Sequence, residues 1–320
     1  MEKEKDLEFY LEWISKYFKI EKIINKNNYG FSLIAQRISI HVKELTSFHI
    51  YKGIFSDMAT TDCPDKEEDK SVDDTENSRK CFIKVYYYYP PFHAEEFGLS
   101  IGSFLDSVPE CYGAYEFKNE KHTFYMIEME YFENAIPFVP KSIQDLKQRL
   151  SEASKILQHF HEHGIVHNDL KPEHFLIYQN RLVLIDFDLS ENIYLTHSKR
   201  HNFGTIPFTA PERYDPPKSI TKKSDVWSMG IILLLWMTNQ PLDYFISISK
   251  DSIQKKDGII IYSETFRNEI SKFLNHISDS CKKQDFQGPF WDPDLFNLCI
   301  EMLNPNPKLR PIFSFSKYLK

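Results

Sequence analysis

The chain has 320 residues, of which 42% are apolar and 27% charged, a composition typical of soluble globular proteins and unlike that of disordered ones. Its formal net charge of −7 gives no electrostatic reason to expect direct nucleic-acid binding. The five cysteines are scattered and include no C-x-x-C pair. We therefore expect reduced thiols in a protein of the nucleus or cytoplasm, rather than a disulfide framework or a zinc site.

Nothing in the sequence predicts an association with a membrane. The first ten residues, MEKEKDLEFY, lack the apolar core of a secretory signal. The longest apolar run extends from Met229 to Met237, which is too short to span a bilayer. This run instead predicts a helix buried in the core of a domain.

The amino-terminal part of the chain predicts a helix followed by strands. Apolar residues recur at helical spacing near the start, and we assign residues 1–13 to a helical extension. The stretches FKIEKII and FSLIAQRISI then have strand character and are separated by the polar turn NKNNYG. Further strands are predicted at CFIKVYYYY and TFYMIEMEYF, with a short helix in HAEEFGLSIGSFL between them.

Residues 56–80 are polar and acidic and contain almost no large apolar side chain. Such a segment cannot offset the entropy of ordering by burying apolar area. We predict a disordered, solvated insertion; the alternative is an acidic segment that docks on a partner.

The remainder of the chain is predicted to be mostly helical. Apolar residues from Ile143 to Phe160 keep one helical face over five turns. Strands in the first part and helices in the second predict an α+β fold with a small β-rich lobe and a larger α-helical lobe.

Several short motifs follow one another in a fixed order. They are FIK around Lys84, HNDLKPEH from His167, DFD from Asp186, APE from Ala210 and SDVWSMG from Ser224. In this order they resemble the motifs of eukaryotic-type protein kinases, and the resemblance extends roughly from Ile14 to Lys320. It implies a bilobal kinase domain over residues 14–320, with an N-lobe of about 14–130 and a C-lobe of about 131–320.

The resemblance implies roles for the residues of the phosphotransfer centre. Asp169 matches the residue that accepts or orients the proton of the substrate hydroxyl, and Lys171 matches the lysine that neutralises the moving phosphoryl group. Thr205 matches the threonine that bonds across to both of them. Asp186 matches the Mg²⁺-binding aspartate, with Phe187 as the core residue behind it.

Further pairs are implied outside that centre. Lys84 matches the strand lysine that contacts the α- and β-phosphates of ATP, held by a glutamate of the following helix. Glu95 and Glu96 are both candidates, and we favour Glu96 because Leu99 lies one turn further on the same side. The unselected glutamate is then expected to be a solvated surface charge.

Two more pairs are typical of protein kinases rather than of small-molecule kinases. Glu212 of APE is expected to pair with Arg310, and Asp225 is expected to bind backbone N–H groups of the catalytic loop.

Four positions depart from the family pattern. In the glycine-rich loop Asn25 and Asn27 replace the first two glycines, and Gly30 alone is kept. Asparagine tolerates left-handed backbone, so we expect the turn to be retained. Asn168 replaces an arginine that reads an activation-loop phosphate, which argues against that form of switching.

The other two departures lie beside the expected metal site. Asp188 replaces the glycine after Phe187, and His174 replaces the asparagine that holds a second Mg²⁺. Mg²⁺ prefers oxygen ligands, whereas Mn²⁺ accepts nitrogen more readily. We therefore expect either that one metal, on Asp186, suffices or that Mn²⁺ is preferred, with Asp186 and His174 as the candidate ligands; the alternative is a site without turnover.

Within the kinases, three stretches resemble the DDK class of replication-initiating cell-division-cycle kinases: MEYFENAIPF, GIVHNDLKPEHFLI and GTIPFTAPERY with the following KKSDVWSMGIILL. This resemblance implies an adenine site formed by Met129, Glu130 and Phe132 with Leu176 as its floor. It also implies a regulatory subunit as partner, besides the protein substrate, and a role in the cell cycle and DNA replication.

The sequence therefore favours an ATP- and Mg²⁺-dependent serine/threonine protein kinase. The alternative is a pseudokinase scaffold, which binds nucleotide or partners without efficient phosphate transfer. Retention of the four polar residues Lys84, Asp169, Lys171 and Asp186 favours activity.

Overall fold

The computed structural model describes residues 2–27, 30–38, 46–47, 79–118, 122–194, 204–205, 208–213, 220–241, 253–256, 259–262, 272, 288–315 and 318–319. The predicted acidic insertion, apart from its last two residues, lies outside these ranges. The chain divides into two compact units, Met1–Glu133 and Asn134–Lys320.

The first unit is a six-stranded antiparallel sheet with two helices. Its elements are α1 (Glu2–Ser15), β1 (Phe18–Lys26), β2 (Gly30–Arg37), β3 (Thr46–Ser47), β4 (Lys80–Tyr86), α2 (Tyr89–Gly102), β5 (Cys111–Lys118) and β6 (Thr123–Glu130). The strands follow the order β1-β2-β4-β6-β5-β3. The predicted first helix, the two strands around the NKNNYG turn and the two later strands are confirmed.

Helix α1 is part of the core of this unit. Tyr10, Trp13 and Ile14 are buried and belong to the same apolar cluster as residues of β2, β4 and β6. Ile14 is fully buried, and the Trp13 ring lies 5.4 Å from the Phe124 ring of β6. The amino-terminal helix therefore covers the sheet and contributes to its stability.

Shortening one buried side chain of α1 tests this contribution. Because Ile14 is fully buried, Ile14→Val is expected to lower the free energy of unfolding by about 1 kcal/mol. Ile24→Val is the matched control, because Ile24 is 45% exposed and its neighbour Ile23 41%. This substitution should change the free energy of unfolding by no more than about 0.5 kcal/mol. Equal effects of the two variants in urea unfolding would contradict the packing of α1 on the sheet.

Helix α2 begins earlier than the sequence predicted, at Tyr89 rather than His93. Pro90 and Pro91 lie in its first turn, where a missing N–H costs no helical hydrogen bond and the fixed φ angle suits a helix. The two prolines therefore lie in the first turn of the helix, whereas the predicted helix begins after them, at His93.

The second unit is mainly helical. Its elements are β7 (Ile136–Pro137), α3 (Ile143–Glu162), β8 (Ile165–Val166), β9 (Phe175–Tyr178), β10 (Arg181–Leu184), β11 (Glu191–Asn192), α4 (Lys222–Thr238), β12 (Ile253–Lys256), β13 (Ile259–Tyr262) and α5 (Pro293–Met302). A β-rich first unit and a larger helical second unit confirm the predicted fold class.

Helix α4 contains the predicted buried apolar run. Almost all of its residues are buried, and it begins with a capping box in which Thr221 and Ser224 bond each other's backbone. It ends at Asn239, which takes the left-handed conformation with φ 52°. Within the described ranges, no helix combines the length and apolar character that crossing a membrane requires.

Short strands position the loop that carries the polar motif HNDLKPEH. Strand β8 pairs with β11 on one side of this loop, and β9 pairs with β10 and β7 on the other. Residues 167–174 and 185–190 are thereby held at the ends of paired strands in the same unit.

Candidate active site

The loop after β8 brings three predicted residues together. Lys171 Nζ donates to Asp169 Oδ2 at 3.1 Å and to Thr205 Oγ1 at 3.4 Å. The backbone N–H of Thr205 donates to Asp169 Oδ1. Asp169 is buried, and its carboxylate lies between the ammonium group of Lys171 and the backbone N–H of Thr205. Gly204 allows this approach, because an added Cβ would lie 2.3 Å from the Asn168 carbonyl oxygen.

A fully buried carboxylate fixes the backbone of this loop. Asp225 accepts hydrogen bonds from the backbone N–H groups of His167 and Asn168, each at 2.9 Å. Its Oδ2 also lies 2.8 Å from His161 Nε2. Burial acts to raise the pKa of Asp225, but the His161 and backbone contacts outweigh it and lower the pKa. The predicted role of Asp225 is confirmed; its contact with His161 was not predicted.

His167 is a packed, neutral side chain. Its Nδ1 accepts from the Asp169 N–H at 3.4 Å, and its Nε2 faces the Ile185 carbonyl oxygen at 3.3 Å. Burial, followed by repulsion from His174, lowers the pKa of His167 to about 4. The Nε2–H tautomer satisfies both contacts. Phe187, predicted to be the core residue behind Asp186, is fully buried, and its ring lies 5.0 Å from the His167 imidazole.

A cluster of possible metal ligands lies next to this loop. His174 Nε2 is 2.9 Å from Asp186 Oδ2, and one ligand atom each from Asp169, His174 and Asp186 lie within 4.8 Å of one another. Two carboxylates and one imidazole suit a divalent cation. Asp186 takes a left-handed conformation with φ 74°, which directs its side chain to this cluster. The structure thus brings together both residues predicted to bind metal and adds Asp169.

In the first unit, the partner of Lys84 is Glu95. Lys84 Nζ lies 3.0 Å from Glu95 Oε1, whereas Glu96 faces His93 at 3.7 Å. The choice of Glu96 was wrong, and so was the expectation of a solvated second glutamate, because both are buried. Phe92 and Leu99 are both fully buried, but Glu95 and Glu96 each lie three residues from one of them and four from the other, so helical spacing does not distinguish the two glutamates.

Exchanging each glutamate for glutamine distinguishes the two positions. Because Glu95 holds the ammonium group of Lys84, Glu95→Gln should raise the Kd for ATP about tenfold. Glu96→Gln is the matched control in the same helix and should change the Kd less than twofold. A larger effect of Glu96→Gln in a nucleotide titration would contradict the assignment.

The turn between β1 and β2 is closed by an asparagine. Asn27 Oδ1 accepts from the Gly30 N–H at 3.0 Å, and the Asn27 N–H donates to the Gly30 carbonyl oxygen at 2.9 Å. Gly30 is required by β-sheet packing, since an added Cβ would lie 1.8 Å from the Val85 carbonyl oxygen. Asn25 lies in β1 opposite Ser32, and the turn residues 28 and 29 lie outside the described ranges.

The predicted adenine-binding residues lie in both units. Met129 and Glu130 end β6, with Met129 buried, and Phe132 follows them, also buried. The Glu130 N–H donates to the Glu110 carbonyl oxygen at 2.8 Å. Leu176 lies in β9 of the second unit, opposite Val183 and Pro137.

Asn168 has a contact that the sequence did not reveal. It takes a left-handed conformation with φ 68°, and its Nδ2 donates to the Leu189 carbonyl oxygen at 3.2 Å. Asparagine adopts this conformation more readily than most residues. The side chain therefore links the loop of Asp169 directly to the segment after Asp186, while Asp188 itself is half-buried.

The predicted pair of Glu212 and Arg310 is confirmed. The guanidinium group forms a bidentate pair, with Nη1 donating to Oε1 and Nη2 to Oε2, both at 2.7 Å. Arg310 is buried and also donates to the carbonyl oxygens of Asn304 and Lys223. This pair ties the Pro211–Arg213 turn to the carboxyl-terminal part of the unit.

Comparison with known families agrees with this geometry. The family model described as "Protein kinase domain" matches residues 105–318, which is more than half of the chain. The matched part contains Asp169, Lys171, Asp186, Glu212 and Arg310.

Curated relatives are named as protein kinases. A "Probable serine/threonine-protein kinase HAL5-like" of Eremothecium gossypii is 31% identical over 43% of this chain and 22% of its own length. The "Dual specificity protein kinase Ttk" of Danio rerio is 32% identical over 47% of this chain and 14% of its own. The "Serine/threonine-protein kinase MPS1" of Encephalitozoon cuniculi is 30% identical over 45% of this chain and 25% of its own. The chain spans a quarter or less of each of these relatives.

Proposed function

The chain belongs to the protein kinase domain family, and on this premise we propose that it transfers the γ-phosphoryl group of ATP to serine and threonine hydroxyls of protein substrates. The observation that carries the proposal is the convergence of Asp169, Lys171 and Thr205 on one another. Phosphoryl transfer requires a group that orients the acceptor hydroxyl and accepts its proton, and a cation that stabilises the moving phosphoryl group, and Asp169 and Lys171 can supply these.

Each residue of the centre has a defined task in this reaction. Asp169 accepts a hydrogen bond from the acceptor hydroxyl and takes its proton as the hydroxyl oxygen bonds to the γ-phosphorus and the bond from that phosphorus to the leaving ADP breaks. Lys171, bonded to both other residues, offsets negative charge on the phosphoryl oxygens. Thr205 holds the lysine and the carboxylate in register through its hydroxyl and its N–H.

The cofactors follow from the same residues. Lys84, held by Glu95, would bind the phosphates of ATP. Asp186 and the adjoining cluster would hold the divalent cation, Mg²⁺ or Mn²⁺, which neutralises phosphate charge when it is bound. Within each unit these side chains are already held by their neighbours, Lys84 by Glu95 and Asp169 by Lys171 and Thr205.

A second candidate function is a scaffold that binds nucleotide without efficient transfer. The observation that favours it is the Asn27–Gly30 hydrogen bond, because it engages a backbone N–H in the turn where the family binds phosphate. The intact phosphotransfer centre and the Lys84–Glu95 pair favour the enzyme, since a scaffold has no need of the Asp169–Lys171–Thr205 arrangement.

A finer proposal concerns the class of kinase. The stretches around Met129, Asp169 and Asp225 support a member of the DDK class acting in cell-cycle and replication control together with a regulatory subunit. Co-purification of the endogenous protein with a stoichiometric partner that raises its activity would support this proposal. Full activity of the isolated chain, unchanged by any co-purifying partner, would count against it.

Acceptor specificity provides the test of the main proposal. Peptides that differ only in a central Ser, Thr or Tyr should be offered with γ-labelled ATP, because one relative is named as a dual-specificity kinase. Transfer to Ser and Thr at least tenfold faster than to Tyr is expected. Equal or faster transfer to Tyr would reject the serine/threonine assignment, and nucleotide binding without any transfer would favour the scaffold.

A further inference from the structure

The position of His174 is fixed by its backbone and by burial. It ends the short helix Pro172–His174, its N–H donates to the Lys171 carbonyl oxygen at 3.0 Å, and its own carbonyl oxygen accepts from Ile185 at 3.1 Å. Only 4% of the residue is exposed. These backbone hydrogen bonds and the surrounding packing therefore hold the His174 imidazole in one position beside Asp186.

The two ring nitrogens of His174 have different surroundings. Nε2 faces Asp186 Oδ2 at 2.9 Å, whereas Nδ1 is buried and has no hydrogen-bond partner within the described ranges. Nε2 is thus the ring nitrogen that a cation bound to Asp186 would reach. The tautomer that carries its proton on Nδ1 turns the Nε2 lone pair toward Asp186, as a metal-bound imidazole requires.

The spacing of these atoms matches that of two ligands of one cation. Adjacent ligands of an octahedral ion with bonds of about 2.1 Å are about 3 Å apart. His174 Nε2 and Asp186 Oδ2 are 2.9 Å apart, and a ligand atom of Asp169 lies within 4.8 Å of both. Side chains from three points of the same unit therefore converge in a way that one cation can bridge.

From this arrangement we infer that His174 is a direct nitrogen ligand of the nucleotide-associated cation, and that the site selects Mn²⁺ over Mg²⁺. Mg²⁺ is a hard ion that prefers oxygen, while imidazole nitrogen suits later divalent metals. The inference rests on the proposed function for the role of the cation, but metal selection can be measured without nucleotide or transfer.

A competing explanation is that His174 only donates a hydrogen bond to Asp186. In that case the pair is structural, and the cation meets carboxylate oxygens alone. The two explanations differ in whether nitrogen enters the coordination sphere of the metal, which spectroscopy detects directly.

The experiment uses the full chain and Mn²⁺ alone, with no nucleotide. Loss of the free Mn²⁺ signal in electron paramagnetic resonance gives the affinity, and electron spin-echo modulation reports ¹⁴N bound to the metal. Wild type should show ¹⁴N coupling. It should also bind Mn²⁺ about tenfold more tightly than Mg²⁺, whose affinity is measured by its competition with Mn²⁺. His174→Asn, which supplies an amide oxygen, should lose the coupling and weaken Mn²⁺ binding about tenfold while leaving Mg²⁺ binding equal or tighter.

His163→Asn is the matched control, because it makes the same exchange at the half-buried end of α3. It should keep both the coupling and the metal ratio of wild type. Absence of ¹⁴N coupling in wild type, or coupling that persists in His174→Asn, would overturn the inference even if that variant were unstable.

The outcome is separable from that of the proposed function. Coupling and Mn²⁺ selection without phosphate transfer would sustain the metal inference and reject the kinase proposal. Phosphate transfer together with equal affinity for the two metals and no ¹⁴N coupling would support the kinase proposal and reject the metal inference.

Discussion

Asp169→Asn is expected to lower the rate of phosphate transfer by about 10²- to 10⁴-fold, the range that a positioned proton acceptor supplies. An amide keeps the size of the carboxylate and one of its oxygens, so the loop held by Asp225 should remain folded. The Kd for ATP should change less than threefold, because Lys84, the proposed phosphate-binding residue, and its partner Glu95 lie in the other unit. Initial rates at saturating ATP, together with a nucleotide titration, measure both quantities.

Asp294→Asn provides the control for this prediction. It makes the same exchange at an exposed position in the first turn of α5, and transfer should be unchanged. If Asp169→Asn retains the wild-type rate, Asp169 is not the proton acceptor and the candidate site is wrong.

Arg310→Ala is expected to lower the free energy of unfolding by about 3–5 kcal/mol, because it leaves the Glu212 carboxylate without its bidentate partner. The change also leaves the carbonyl oxygens of Asn304 and Lys223 without their donor. It further removes the guanidinium group that lies 5.0 Å from the centre of the Trp227 ring. Urea unfolding of the two proteins gives the difference.

Two further variants separate charge from geometry at this pair. Arg310→Lys keeps the charge but loses the forked geometry, so its effect should be smaller than that of alanine. In a double-mutant cycle, Glu212→Gln and Arg310→Ala should be strongly non-additive. Additive effects would mean that the two side chains do not stabilise each other.

Strong periodic patterns in the sequence predicted the elements well. The apolar run from Met229 to Met237 lies in α4, and the alternation around the NKNNYG turn corresponds to β1 and β2. These predictions succeed because burial of an apolar face is encoded in the spacing of the residues themselves. The pairs Glu212–Arg310 and Asp225 with the loop backbone were also predicted, since the resemblance places each partner.

The partner of Lys84 could not be fixed in this way. Glu95 and Glu96 are adjacent in α2, and about 100° of helical rotation decides which one reaches the lysine. That rotation depends on how Phe92 and Leu99 pack against the sheet, which is a tertiary property. Leu99 and Phe92 are each compatible with either glutamate, so the spacing of the residues does not decide between them.

The contacts made by the replaced residues were likewise hidden. The sequence predicted only that Asn27 tolerates a left-handed backbone in the turn. Its side chain also closes the turn by accepting a hydrogen bond from the Gly30 N–H. For Asn168 the sequence predicted only the loss of an arginine that reads an activation-loop phosphate. Its side chain in fact donates a hydrogen bond to the Leu189 carbonyl oxygen. Family motifs report the residues that are kept; they do not predict the new hydrogen bonds made by residues that differ.

Transfer of labelled γ-phosphate from ATP to a generic serine- and threonine-containing acceptor, in Mg²⁺ and in Mn²⁺, tests the central claim most directly. We predict ATP-dependent transfer by wild type, lowered about 10²- to 10⁴-fold in Asp169→Asn and retained in Asp294→Asn. No transfer with either cation, from a chain that binds ATP, would contradict it and leave a nucleotide-binding scaffold.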